Sequence, residues 1–155
     1  MARHGPARTR GSPAPADVGI ARGVSAVIIR LPWQSSSLAP NRRNGKHWTA
    51  THAAKAAARD HAFMIGCLAA KAAEGFKAPD GDIPLSILFL TPDKRRRDLD
   101  GLLSSMKPAL DGIAQALNLD DYRFRPILVD RAPGPKGGAV IVAVGVTIQS
   151  FTEVV

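Results

Sequence analysis

The stretch IPLSILFLTPDKRRRDLDGLLSSMKPALDGI, residues 83–113, contains the two kinds of element from which the fold is built. Its first nine residues, Ile83–Thr91, form a nearly unbroken apolar run, which predicts a strand buried on both faces. From Leu99 onward, apolar residues recur at steps of three and four, which predicts an amphipathic helix. Pro108 lies inside this pattern, so we expect it to kink the helix or divide it.

Outside this stretch, the sequence predicts one more helix and three more strands. An alanine-rich run from Ala50 favours a long helix, capped by Thr49 or Thr51 and ended at Gly75. Apolar and β-branched runs predict strands in VSAVIIRLPW, which begins at Val24, in YRFRPILVDRA and in GGAVIVAVGVTI. The predicted order is β-α-β-α-β-β. This order indicates an α+β protein, a single small domain in which a mixed sheet packs with two helices.

Composition divides the chain into one domain and two short ends. Residues 1–23 are rich in Pro, Gly, Ala and Arg and show no periodicity, which predicts a disordered basic tail. We expect the folded domain to span residues 24–150 and a short C-terminal tail to occupy residues 151–155.

Charge and cysteine content limit the classes of function. The 155 residues carry a formal net charge of +8, which favours a polyanionic partner, nucleic acid before an anionic membrane surface. No apolar run approaches the roughly 20 residues of a membrane-spanning helix, and no apolar segment of a secretory signal follows the first arginines. Cys67 is the single cysteine, so an internal disulfide and a cysteine-histidine zinc cluster are excluded. A reducing cytoplasm is the expected compartment.

The charged segment before the predicted second helix has the composition of a phosphodiesterase site. Asp98 and Asp100 flank Leu99, and in an extended chain both carboxylates point to the same side. On a helix, offsets of seven and eleven residues return to within about 20° of Asp100, so Lys107 and Asp111 share its polar stripe, together with Ser104. Carboxylates that hold Mg²⁺ activate water and stabilise the charge that develops on a phosphate, and a neighbouring lysine adds to that stabilisation.

Each of these residues also has a purely structural interpretation. Asp98 or Asp100 can be an N-cap, Lys107 and Asp111 can form a surface ion pair, and the aspartates of LDD can stabilise a turn. The basic run Lys94–Arg97 can be a solvated loop. Because all of them fall within about 30 residues of a basic protein, we interpret them together as one site.

These motifs resemble the RusA family of Holliday junction resolvases. The resemblance is carried by RRRDLD, by the lysine and LDGI of the helix that follows, and by LDD before a strand. It extends to LPW, SLAPNRRNGKHW and KGG and covers roughly residues 27–148. The chain departs from the family at Gly101, where asparagine is usual, and Lys107 lies about one turn later than in some members.

The resemblance implies an activity and a set of site residues. The activity is a Mg²⁺-dependent endodeoxyribonuclease that nicks four-way DNA junctions symmetrically in recombination and repair, with Mn²⁺ as a substitute metal and no small-molecule cofactor. Metal would be held by Asp98, Asp100 and Asp121, with Lys107 assisting. The implied protein is a homodimer that binds branched double-stranded DNA, without a membrane, in the cytoplasm and associated with the nucleoid.

Basic side chains near this site are the predicted DNA contacts. They are Lys94, Arg95, Arg96, Arg97, Arg42, Arg43 and Lys46. Two other functions remain open from the sequence. One is a catalytically weak or silent DNA-binding protein, in which the aspartates only cap and pair. The other is a nuclease of the same kind that acts on flaps or forks.

Overall fold

The computed structural model describes residues 26–40 and 48–147. The elements within these ranges confirm the predicted α+β class and the order β-α-β-α-β-β. They are β1 (Val27–Pro32), a 3₁₀ turn (Ser36–Leu38), α1 (Trp48–Ala72), β2 (Ile83–Thr91), α2 (Leu99–Ala116), a second 3₁₀ turn (Asp121–Arg123), β3 (Phe124–Pro133) and β4 (Ala139–Val144). The predicted tails, residues 1–23 and 151–155, lie outside the described residues.

The four strands form one mixed sheet in the order β1-β4-β2-β3. Strand β4 pairs antiparallel with both β1 and β2, whereas β2 pairs parallel with β3. Because β2 lies inside the sheet and is nearly all apolar, its residues from Leu85 to Leu90 are all buried, as the sequence predicts, including the polar Ser86. The parallel pair is joined through α2, so the end of β2 leads directly into the charged segment and the start of the helix.

The two helices form a layer whose apolar sides pack with the sheet. Met106, Ala109 and Ile113 of α2 join Ile87 and Phe89 of β2 in the main core cluster. The helices themselves approach closely at glycines. A Cβ atom added at Gly112 of α2 would lie 2.2 Å from the backbone oxygen of Arg59 in α1, so no side chain fits at that crossing.

Helix α1 begins earlier than the sequence predicts. It starts at Trp48, so Thr49 and Thr51 occupy its first turn and do not cap it. It ends at Ala72, three residues before the predicted stop at Gly75, which adopts φ 78° in the turn that follows. The predicted type and approximate extent are confirmed, and the predicted caps are wrong because the helix begins before the alanine-rich run.

Helix α2 is continuous, so the expectation that Pro108 divides it is wrong. Proline removes one hydrogen bond to the carbonyl of Ser104, but the buried side chains on either side of it hold the helix in place. The helix ends in a Schellman motif. Asn118 is left-handed at φ 53°, and the Leu119 N–H donates to the Ala114 carbonyl at 2.8 Å. This motif reverses the chain, which brings Asp121 back toward α2.

Candidate active site

The segment between β2 and α2 is braced by an ion pair. The Arg97 guanidinium donates to both oxygens of Asp93 at 2.7 and 3.0 Å, and its Cζ atom lies 5.3 Å from the ring centroid of Trp33. The hydrogen bonds from Arg97 and from the Arg95 backbone N–H lower the pKa of Asp93 to about 2. The paired side chain of Arg97 is only 20% exposed, and its contact with Trp33 holds the loop against the end of β1.

The three cations before Arg97 point into solvent. Lys94, Arg95 and Arg96 are exposed, and the side chain of Arg95 is 83% accessible. Arg95 and Arg96 line a cleft of about 360 Å³ whose wall also contains Asp98 and Trp33. The cleft therefore combines exposed positive charge, of which Arg95 lies 4.0 Å from Asp93, with an aromatic side chain and one of the candidate metal ligands.

Asp98 occupies the N-cap position of α2, but its side chain makes no capping hydrogen bond. Its backbone is extended, at φ −81° and ψ 139°, and only its carbonyl accepts the N–H of Leu102. Because α2 begins at Leu99, Asp100 is already helical, so the same-side argument for an extended chain does not apply to this pair. Among the described residues, neither carboxylate has a hydrogen-bond or ion-pair partner. Both retain their oxygens for a ligand.

Lys107 joins α2 to the second 3₁₀ turn. Its Nζ atom lies 2.8 Å from Oδ1 of Asp111, one helical turn away, and also binds the Asp121 carboxylate. Hydrogen bonds to Asp111 and Asp121 raise the pKa of Lys107, and the bond from Lys107 lowers the pKa of Asp121. Of the two aspartates in LDD, Asp120 accepts the Tyr122 N–H at 3.0 Å and caps the turn, which leaves Asp121 to face α2.

A larger cleft of about 740 Å³ lies between α1 and α2. Its α2 wall contains Ser104, Lys107 and Asp111, three residues of the predicted polar stripe, and its α1 wall contains Lys55 and Arg59. Neither Lys55 nor Arg59 is among the site residues predicted from the sequence. Their spacing of four, on one face of a helix, was the available signal.

The candidate ligands fit Mg²⁺ in their chemistry, because carboxylate oxygens are the donors that it prefers. Asp98 and Asp100 have unpartnered oxygens within the described structure, while Asp121 is bound by Lys107. Within residues 26–40 and 48–147, no three His, Cys, Asp or Glu side chains are grouped closely enough to hold one ion. The three-aspartate metal set stays a prediction, and two of its members have the required free oxygens.

The remaining predicted DNA contacts, Arg42, Arg43 and Lys46, lie outside the described residues. In the part of the chain that the structure covers, no helix has both the length and the apolar character needed to cross a membrane.

Comparison with known proteins finds no matching family model but does find a relative. A protein of Xylella fastidiosa (strain Temecula1 / ATCC 700964), described as an uncharacterized protein, is 37% identical over 125 residues, which is 79% of this chain and 78% of the relative. The small α+β domain described above thus belongs to the same family as this Xylella fastidiosa protein.

Proposed function

We propose that the protein is a Mg²⁺-dependent structure-selective endodeoxyribonuclease of the RusA type, which nicks four-way DNA junctions. One observation carries this proposal. Lys107 and Asp121, which the resemblance assigns to one site, are 14 residues apart in sequence and form an ion pair. The fold thus brings together, across the chain reversal at Asn118, two of the residues that the resemblance assigns to the site.

The carboxylates and the lysine have separate tasks in this proposal. Asp98 and Asp100 would hold the metal, with Asp121 as the third ligand. When bound there, the metal would supply an activated water and positive charge to stabilise the phosphate. Lys107 would orient Asp121 and bring an ammonium group beside it. The exposed Lys94, Arg95 and Arg96 offset the negative charge of the aspartates and bind the phosphates of DNA.

The proposal includes the assembly and the cellular role implied by the resemblance. A four-way junction is nearly two-fold symmetric, and a C2 homodimer presents two sites related by that symmetry, so it can make two matched nicks. The substrate would be branched double-stranded DNA formed in recombination and repair. The protein would act in the cytoplasm, on the nucleoid.

A catalytically silent DNA-binding protein is the second candidate. It is favoured by the ion pair that occupies Asp121 and by Gly101, which cannot provide the amide found in the family at that position. In this candidate the basic residues keep their role and the aspartates only pair with lysine. A nuclease selective for flaps or forks differs from the first candidate only in substrate.

The test measures nicking of labelled four-way, flap, forked and linear DNA with Mg²⁺. We expect the four-way junction to be cut at symmetric positions. Asp98→Asn, Asp100→Asn and Asp121→Asn should each slow nicking by about 100-fold or more, because metal stabilisation of the transition state is worth several kcal/mol. Junction affinity in EDTA and the melting midpoint should remain close to those of the parent.

Asp130→Asn, on the edge strand β3, is the matched control, since it makes the same change of charge away from the site. If the three variants nick as fast as Asp130→Asn, the assigned site is wrong. If the parent binds junctions but cuts none of the four substrates, the silent DNA-binding protein is the correct alternative. Preferred cutting of flaps or forks would retain the site and change the substrate.

A further inference from the structure

The cleft between α1 and α2 has a basic wall that the proposed function has not used. Lys55 and Arg59 of α1 are both exposed and both line this cleft. A spacing of four residues turns by about 40° around the helix, so the two side chains lie on the same face of α1. Asp60 is the acidic residue on that wall, and it leaves an excess of one positive charge there.

The position of Arg59 is fixed by the helix crossing. Its backbone oxygen lies 2.2 Å from the position that a Cβ atom of residue 112 would take, so α1 and α2 are in contact at this point. From there the side chain reaches across the cleft, and its Nη2 donates to Oε1 of Gln115 at 3.3 Å. Among the residues that the structure describes, this one hydrogen bond to a neutral amide leaves the guanidinium charge without an acidic partner and most of its five donors unused.

The same cleft continues to the candidate active site. Arg59, Lys107 and Asp111 also line the adjoining depression of about 660 Å³, which ends at Asp120 and Asp121. Positive charge on the α1 wall is therefore followed, along one continuous surface, by the carboxylate proposed to bind metal. Such a surface would attract a phosphodiester backbone at its first part and lead it to the proposed metal ligand at its second.

The spacing of the two cations suits a DNA strand. Lys55 and Arg59 are about 6 Å apart along the axis of α1 at about 1.5 Å per residue. Neighbouring phosphates of one B-form strand are separated by about 3.4 Å along the duplex axis and, in addition, by the turn of the strand around that axis. Two phosphates of one strand can thus be contacted together.

We propose that Lys55 and Arg59 form a binding site for the sugar-phosphate backbone of the DNA arm that enters the cleft beside Asp121. The proposal rests on the proposed function for the identity of the polyanion. It adds a second set of phosphate contacts to those proposed for Lys94–Arg96. The contact is with phosphates, so it adds affinity for every sequence equally.

The test compares Lys55→Ala/Arg59→Ala with the single control Lys71→Ala. Lys71 lies in the last turn of α1, about 24 Å along the axis from Lys55 and about 160° around the helix, and it does not line the cleft. Affinity for a fluorescent four-way junction is measured by anisotropy in EDTA, so that no cleavage occurs. A salt series from low to moderate concentration accompanies each variant.

We expect the double variant to bind about 30-fold more weakly at about 0.15 M salt and the salt slope to fall by about two, since each lost phosphate contact contributes about 0.9 to that slope. Lys71→Ala should bind like the parent, and all three proteins should melt at similar temperatures. Lys55→Glu is a second variant that leaves Arg59, and therefore the helix crossing, unchanged. It should lower junction affinity at least as much as the loss of one phosphate contact.

Equal affinity and equal slope for the double variant and Lys71→Ala would overturn the proposal, as would a Lys55→Glu variant that binds like the parent. The proposed nuclease function fails separately. If the parent protein binds junctions through this cleft and never nicks them, the proposed backbone-binding site is supported and the proposed nuclease function is refuted.

Discussion

The close approach of α1 and α2 makes Gly112→Ala the most informative test of the fold. A methyl group at residue 112 would lie 2.2 Å from the Arg59 oxygen and 3.0 Å from the Phe63 nitrogen. A comfortable carbon-oxygen contact is about 3.3 Å, so the helices must separate by about 1 Å. Overpacking of this kind costs about 3 kcal/mol, and better helix propensity returns about 1 kcal/mol. We expect a net loss of about 2 kcal/mol.

Gly101→Ala is the matched control in the same helix. A Cβ atom at residue 101 meets no atom within 4 Å, so only the gain in helix propensity remains, up to about 1 kcal/mol. Thermal unfolding followed by circular dichroism should separate the two variants by about 10 °C, at roughly 4 °C for each kcal/mol in a domain of this size. If Gly112→Ala melts with the parent, or if Gly101→Ala is destabilised equally, the helix crossing described here is incorrect.

Three further predictions concern single residues and salt. The folded pKa of Asp93 is depressed to about 2, so its pair with Arg97 stabilises the protein above pH 3.8, and this stabilisation is lost as pH falls through about 2. Asp93→Asn should therefore reduce the acid dependence of the melting midpoint. An unchanged dependence would contradict the pairing. Asn118→Val should lower the unfolding free energy in urea by about 1–3 kcal/mol because φ is 53°, whereas Asn118→Gly should not, and equal losses would exclude the Schellman motif. Junction binding should persist in EDTA and weaken steeply with added salt in gel-shift assays; a flat response would refute binding through Lys94–Arg96 and its neighbours.

The elements that the sequence predicts well are those decided by local pattern. Strand β2 occupies Ile83–Thr91 as predicted, because its apolar run is bounded by polar and proline residues on both sides. The order of the sheet was not predictable in the same way. The position of β4 between β1 and β2 results from pairing between distant segments, which leaves no periodic mark in the chain.

The candidate site shows the same division. The helical repeat predicted that Ser104, Lys107 and Asp111 share a face, and all three line one cleft. The contact between Lys107 and Asp121 depends on the chain reversal at Asn118, and helical periodicity does not predict that reversal. Lys55 and Arg59 were missed because an alanine-rich helix has a weak apolar stripe, so its orientation is set by glycine packing at the crossing.

The pairing of β1 with β4 has a consequence for folding during synthesis. In the described chain, β1 is the first strand made, and its only ladder partner is the last one, with Val27 opposite Val144 and Pro32 opposite Ala139. While the ribosome is still adding β2, α2 and β3, the β1 ladder cannot close, and loop closure over this span is slow. The parallel pair of β2 and β3 can form earlier, with α2 packed across it. Commitment to the native sheet thus waits for β4, and a nascent chain halted before residue 139 would hold β1 unpaired and exposed to chaperones.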